Sequence, residues 1–516
     1  MAHFGGLHMV TKQRAQIIAV LMIIFLLLNL SPIGIYQSLQ AELKIFRSNI
    51  NSNIDDLEVF IRKTVDRLAY GIYLLKKRNN IARTPFFPVY NYKTHIIEGL
   101  TATSIPFYIY AFAITGNFTY LGEAMLSAIA LEEYINEKGI LQPFDENGSI
   151  KYTPTSGNLF YPQFFAWLSL FDPHFLDIAK KMTDAVIKYF ISEYGLPYKA
   201  IYPDGKPSKD TVYLPFNVMS CIALLSKMYE FTLNETYLST AIKIVLSIFQ
   251  YLKNPKTGLL HDSYKITNNG IEVKDNFQRV YSAGLIIGNM LYLYLLSGNE
   301  KILRLLKDYV QSVKKYFWVV DKEGVSHWAY RVYVSGNIAW DTIETNFFKL
   351  DYYLLLYYIY VERDPVLLER IITDINSTIA YNSRNYIFTH SPKDFTALIY
   401  GQLSSFVYLV TLLKRLGYAD FTQWLIKHFY SVVNAFMKEY GFVKSIYVIS
   451  NETSSYGPLI TYHSTAYLYS MLYFTQDYPA WSHVSLYPFP LTYIPNVDIP
   501  YKPYYFLKHI REISPF

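Results

Sequence analysis

Asp341 and Glu344, in the stretch Ala339-Trp-Asp-Thr-Ile-Glu-Thr-Asn346, are the first place to look for general acid/base chemistry in this chain. Such chemistry needs one protonated and one ionised group within reach of the same substrate, and a spacing of three puts both on one helical face. Trp340 beside them offers a flat apolar surface. The same D-x-x-E pattern also describes a capping box, with Asp341 as cap and Glu344 reaching back to it, so both readings stand. His261-Asp262 follows the loop Asn254-Pro-Lys-Thr-Gly-Leu-Leu260 as either a functional pair or a turn salt bridge. A third group is Glu98 with His95 and Tyr92, in Tyr90-Asn-Tyr-Lys-Thr-His-Ile-Ile-Glu98, where helix capping is the alternative. Asp204, Asp210 and Asp394 are further loop acids.

His327-Trp-Ala-Tyr-Arg331 gathers a base, two aromatics and a cation in one loop, a set that suits an acidic sugar as well as a packed surface. His327, Trp328 and Arg331 are therefore candidate binding residues, and Arg279 and Tyr281 read the same way. Tyr462 and His463 open the last apolar segment as core-lining or proton-transferring groups. The 11 histidines show no H-x-H or H-x-x-x-H spacing. The one cysteine, Cys221, sits in an apolar run and excludes a cysteine-based zinc site or an intrachain disulfide, so no metal or cofactor is expected. The net charge of +6 comes without a dense basic block, which argues against a nucleic-acid partner.

These residues are spread over elements that repeat every 55–65 residues or so. Each unit has an apolar, aromatic helix, a short turn, a half-polar helix and a longer polar loop. The first halves are 96–114, 158–171, 211–231, 279–296, 342–361, 396–416 and 457–474; the second halves are 120–136, 175–191, 236–252, 301–318, 365–380 and 421–440. A helix apolar all round must be buried, and one with a polar face can sheath it. The expected fold is therefore all-α, an α/α toroid of six or seven hairpins with short β-hairpins in its loops. The amphipathic segment 53–77 is the candidate seventh outer helix. An open α-solenoid is the alternative.

Residues 15–35 carry no charge and are long enough to span a hydrocarbon core. Lys12 and Arg14 precede them, so the positive-inside rule predicts a cytoplasmic tail at 1–14, a signal-anchor helix at 15–35 and an extracellular toroid at 36–480. Residues 481–516, rich in proline and aromatics, are expected to pack on the toroid as irregular chain. No later segment is expected to reach spanning length. Five sequons outside the anchor, at Asn117, Asn147, Asn234, Asn376 and Asn451, fit an exported glycoprotein.

The loop at 254–262, with its P-x-T-G-L pattern, resembles the six-hairpin glycosidases, as does the run Val280-Tyr-Ser-Ala-Gly-Leu-Ile-Ile-Gly288 leading to Tyr292 and Ser297-Gly-Asn299. That superfamily includes endo-α-mannanase-like and unsaturated glucuronyl hydrolase-like proteins. The resemblance implies a groove where loops enter the inner helices, a glycan substrate, and hydrolysis or elimination by paired carboxyl groups. The mannanase-like members use adjacent acids, whereas the one Asp-Asp here is Asp55-Asp56, beside the anchor, so their mechanism does not carry over. Thr461-Tyr-His-Ser-Thr465 resembles the Tyr-His-Thr-Thr stretch of glucuronyl C5-epimerases, which implies proton transfer as an alternative. A non-catalytic glycan-binding or envelope scaffold is the third reading.

Overall fold

The computed structural model describes residues 54–475 apart from 82–83, 92–93, 146–147, 342, 344–346, 390–395, 399–400, 439, 450–451 and 460–461. The expected anchor, the tail before it and the whole C-terminal stretch 481–516 lie outside the described residues.

Fourteen α-helices alternate in burial among the described residues. The outer set comprises α1 Ile54–Arg78, α3 Phe118–Glu132, α5 His174–Ala185, α7 Glu235–Tyr251, α9 Glu300–Tyr316, α11 Pro365–Tyr381 and α13 Thr422–Phe436. The inner set comprises α2 Ser104–Thr115, α4 Pro162–Leu168, α6 Met219–Thr232, α8 Val280–Ser297, α10 Phe347–Tyr360, α12 Gly401–Arg415 and α14 Tyr462–Thr475. Ten of the twelve residues of α2 are buried, against five of seventeen in α9. That contrast is the apolar-versus-amphipathic distinction made physical.

From α4 to α14 each inner helix packs on the next, α14 packs on α2, and the Phe112 ring of α2 meets Trp167 of α4 at 6.4 Å, so the ring closes. Helix α1 lies against both α2 and α14. Its Phe60 ring meets Phe429 and Tyr430 of α13 at 5.9 and 5.7 Å. It is the seventh outer helix.

Inner-to-outer turns share one chemistry. Gly116 and Gly298 take left-handed φ values of 70° and 62°, ending α2 and α8 in the conformation glycine adopts without strain. Asn117 and Asn299 then cap the next helix, accepting from the backbone N–H of Thr119 and Lys301 at 3.0 Å each. Leu233 (φ 54°) holds the left-handed position in the turn that lacks glycine, and Asn234 caps α7. Because these short turns occupy one end of the ring, the long loops gather at the other, where the inner helices begin.

Those loops carry more strand than short hairpins alone. β1 Phe87–Asn91 and β2 Ile96–Thr101 join β13 Thr396–Leu398, β15 Gly441–Ile449 and β16 Glu452–Leu459 in the order β13-β15-β16-β1-β2, with β14 Met437–Lys438 on β15. Asn91 pairs with Pro458, tying the first loop to the last. The remaining strands are β3 Val212–Tyr213, β4 Ser263–Thr267, β5 Gly270–Val273, β6 Phe277–Arg279, β7 Trp318–Val320, β8 Ser326–Trp328, β9 Arg331–Tyr333, β10 Ile338–Trp340, β11 Ser383–Arg384 and β12 Ile387–Phe388.

Three expectations are corrected. Residues 96–101 and 457–459 are strands leading to inner helices and not their first turns; the β-branched Ile96, Ile97 and Thr101 favour the pleat. Asp341 precedes α10, which begins at Phe347, so the helical-face reading of Asp341 and Glu344 does not apply. Val280–Ser297 is an apolar helix of 18 residues, long enough to cross a membrane, and its buried position makes it an inner helix of the ring.

Candidate functional site

The sheet β10-β9-β6 sits at the loop end, and β6 runs directly into α8. Arg279 pairs with Arg331, and Arg331 pairs with Trp340. Directly opposed residues share a face of an antiparallel sheet, so the three side chains stand in one row. Phe277, two residues before Arg279, shares that face. The Arg331 guanidinium lies over the rings of Phe277, Tyr330 and Trp340 at 5.0, 5.0 and 5.1 Å. Arg279 covers Phe277 at 4.8 Å, and Tyr330 meets Trp340 edge-on at 5.1 Å. Trp340 is 46% exposed. Phe216, 58% exposed, stands 5.6 Å from the ring of Tyr281 in the first turn of α8. The result is a ledge of aromatic faces interleaved with two guanidinium groups.

Asp262 lies beneath it, fully buried. Its Oδ2 accepts from the Arg279 backbone N–H at 3.1 Å and from Nη1 at 2.9 Å. Burial pushes this carboxyl up to about 7 even though Arg279 pulls it down, and the charge of Asp275 adds to the upward push. Burial likewise raises the Tyr281 phenol, with Asp262 contributing. Asp262 thus fixes Arg279 from inside the wall, and the ledge faces outward.

At the other edge, His327 Nε2 lies 2.7 Å from Asp341 Oδ1, and its Nδ1 lies 3.2 Å from the Val325 carbonyl oxygen. The imidazole is buried, and the Asp341 side chain is 35% exposed. The hairpin β7–β8 that presents His327 is pinned from behind. Trp328 Nε1 donates to Asp351 Oδ1 at 2.7 Å and its backbone N–H donates to Asp374 Oδ1 at 3.1 Å. These two buried carboxyls are neighbours, and the charge of each bears on the other. Burial, then the charge of Asp374, drives Asp351 well above the usual carboxylate range.

The fold therefore brings together Asp262, Arg279, Tyr281, His327, Arg331, Trp340 and Asp341, with Trp328 as a buried support. His261 is turned to the Asp275 carbonyl oxygen at 2.6 Å. His95 is exposed in the β1–β2 turn, 3.2 Å from the Tyr90 hydroxyl, on a different sheet. Tyr92, Glu344 and the side chains of Glu98, Tyr462 and His463 lie outside the described residues. Sequence reasoning missed Phe216, Asp351 and Asp374. A lone acid inside the apolar run Phe347-Phe-Lys-Leu-Asp-Tyr-Tyr353 was the available signal for Asp351; Phe216 carried none.

Residues 172–334 match the sequence model of glycosyl hydrolase family 76. No curated protein matches the chain. Among solved structures, D-mannose isomerase superposes with a TM-score of 0.52 at 13% identity, over 80% of this chain and 97% of that one. Cellobiose 2-epimerase from Bacillus thermoamylovorans superposes with 0.51 at 12% identity, over 69% and 100%. A sugar epimerase from a ruminal bacterium superposes with 0.51 at 14% identity, over 67% and 95%. The chain shares the α/α toroid fold of these structures, with seven inner and seven outer helices among its described residues.

Proposed function

We propose that this chain is a membrane-tethered, extracytoplasmic carbohydrate-active enzyme that holds a glycan across the ledge and breaks a glycosidic bond by hydrolysis or elimination. The observation that carries this reading is the ledge itself. Exposed aromatic faces suit the apolar faces of sugar rings, guanidinium edges suit their oxygens, and an accessible carboxylate, Asp341, stands at the end of the row. The family 76 match, residues 172–334, spans Asp262, Arg279, His327 and Arg331. In this reading Asp341, held by His327, is the base, and Asp262 is a positioning residue that aims Arg279. Two strand spacings separate Arg279 from Trp340, roughly 10 Å, which leaves room for about one sugar residue between the two edges. The uncharged stretch at 15–35, preceded by Lys12 and Arg14, supplies the tether.

A polysaccharide screen with the full chain in detergent tests the reaction. New reducing ends or unsaturated products are expected from wild type and not from Asp341→Asn. Equal turnover by both sinks the assignment, and protease accessibility in intact cells tests the orientation. One observation favours a second reading: the 2.7 Å imidazole–carboxylate couple of His327 and Asp341 can relay a proton without a second carboxyl group, as an epimerase requires. Uptake of solvent deuterium into an uncleaved glycan would select it. Binding without either outcome would select the non-catalytic reading.

A further inference from the structure

We infer that Arg331 forms a subsite for an anionic sugar, so that the glycan of the proposed function carries acidic residues; the inference rests on that reading. The two guanidinium groups of the ledge differ in their commitments. Arg279 is spent on Asp262 at 2.9 Å and Asp275 at 3.9 Å. Arg331 stands opposite it in the sheet with three rings around it, and among the described residues no carboxylate lies within ion-pair distance of it. Its Nε is buried without a hydrogen-bond partner, while the side chain as a whole is half-buried.

Ring faces bring no formal counter-charge to a guanidinium, so its charge and N–H donors remain for an anion. A planar carboxylate can meet such donors bidentately. An arginine held this way is already ordered, so binding sacrifices little rotamer freedom. Exposed Trp340, paired with Arg331 and edge-on to Tyr330, offers a sugar face beside the anion site. A neutral glycan would use the rings and leave the cation without a counter-charge. A uronic acid uses both, and so does a sulfated sugar.

Calorimetric titration of the full chain in detergent distinguishes these cases. The probes are oligogalacturonates, the same oligosaccharides with their carboxyl groups reduced to alcohols, sulfated heparin oligosaccharides and mannan oligosaccharides. Oligogalacturonate is expected to bind at least about 10-fold more tightly than its reduced counterpart, with the advantage shrinking as salt is raised. Arg331→Gln should remove that advantage, and Arg331→Lys should keep part of it. Tighter binding of heparin than oligogalacturonate, with the same dependence on Arg331, assigns the subsite to sulfate. Equal affinity for the acidic and reduced probes overturns the inference and leaves the glycan reading standing, as does an acidic preference that survives Arg331→Gln. Failure to bind any probe overturns the glycan reading itself. Because Arg331 also packs against three rings, the salt dependence and the reduced probe test the claim on unaltered protein.

Discussion

A carboxyl group enclosed beside an arginine, as Asp262 is, couples the site to pH. Its folded-state affinity for a proton exceeds that of the unfolded chain, because burial raises it to about 7. The stability this contributes is present in full below the ordinary carboxylate range, about pH 4, and is lost as pH climbs toward 7. Asp262→Asn is therefore expected to flatten the decline in melting temperature between about pH 4 and 7 relative to wild type. An unchanged slope refutes the assignment. Asp341→Asn is expected to lower kcat by about 10²–10⁴-fold while leaving the melting temperature within a few degrees, since its side chain is partly solvated. At this scale the residue types were legible and their grouping was not. Arg279, His327, Arg331, Trp340 and Asp341 announce themselves by chemistry. The pairing of Arg279 with Arg331 and of Arg331 with Trp340 is a long-range register that no local pattern encodes. The D-x-x-E spacing misled because Asp341 follows the strand β10 and is not helical.

Between elements, α8 and α10 pack closely, and glycine permits it. A Cβ on Gly284 would stand 2.7 Å from the Leu350 backbone nitrogen, and one on Gly288 would stand 2.5 Å from the Tyr353 ring. Gly284→Ala meets backbone and should destabilise the fold by about 1–3 kcal/mol in chemical unfolding, more than Gly288→Ala, where a ring can turn aside. The sequence offered these glycines as part of a family-like pattern; their physical reason is helix–helix contact. Behind the site, Asp351→Leu would strand the buried Trp328 indole N–H. A loss of about 1–3 kcal/mol is expected, and a smaller one for Asp351→Asn, which still accepts from the indole. The outer helices were legible because their burial follows a 3.6-residue period, and the inner ones because they are apolar nearly all round. The six-stranded sheet was not, since β1 and β16 pair across almost the whole length of the ring.

For the molecule as a whole, the alternation of greasy and half-polar helices forecast concentric layers, and it left six or seven hairpins open because a helix count cannot say what α1 covers. The structure answers through Phe60, which is buried between Phe429 and Tyr430 at the seam. Phe60→Ala should lower unfolding free energy by about 3–5 kcal/mol, and one cooperative transition should persist, because first and last hairpins share a core.

That seam also has a temporal side. Helix α1 leaves the ribosome well before its companions α13 and α14. At 5–20 residues per second, the interval between them is roughly 20–80 s. Through that delay the part of the apolar stripe of α1 that meets α13 and α14 has no native mate, and it must be shielded until they arrive.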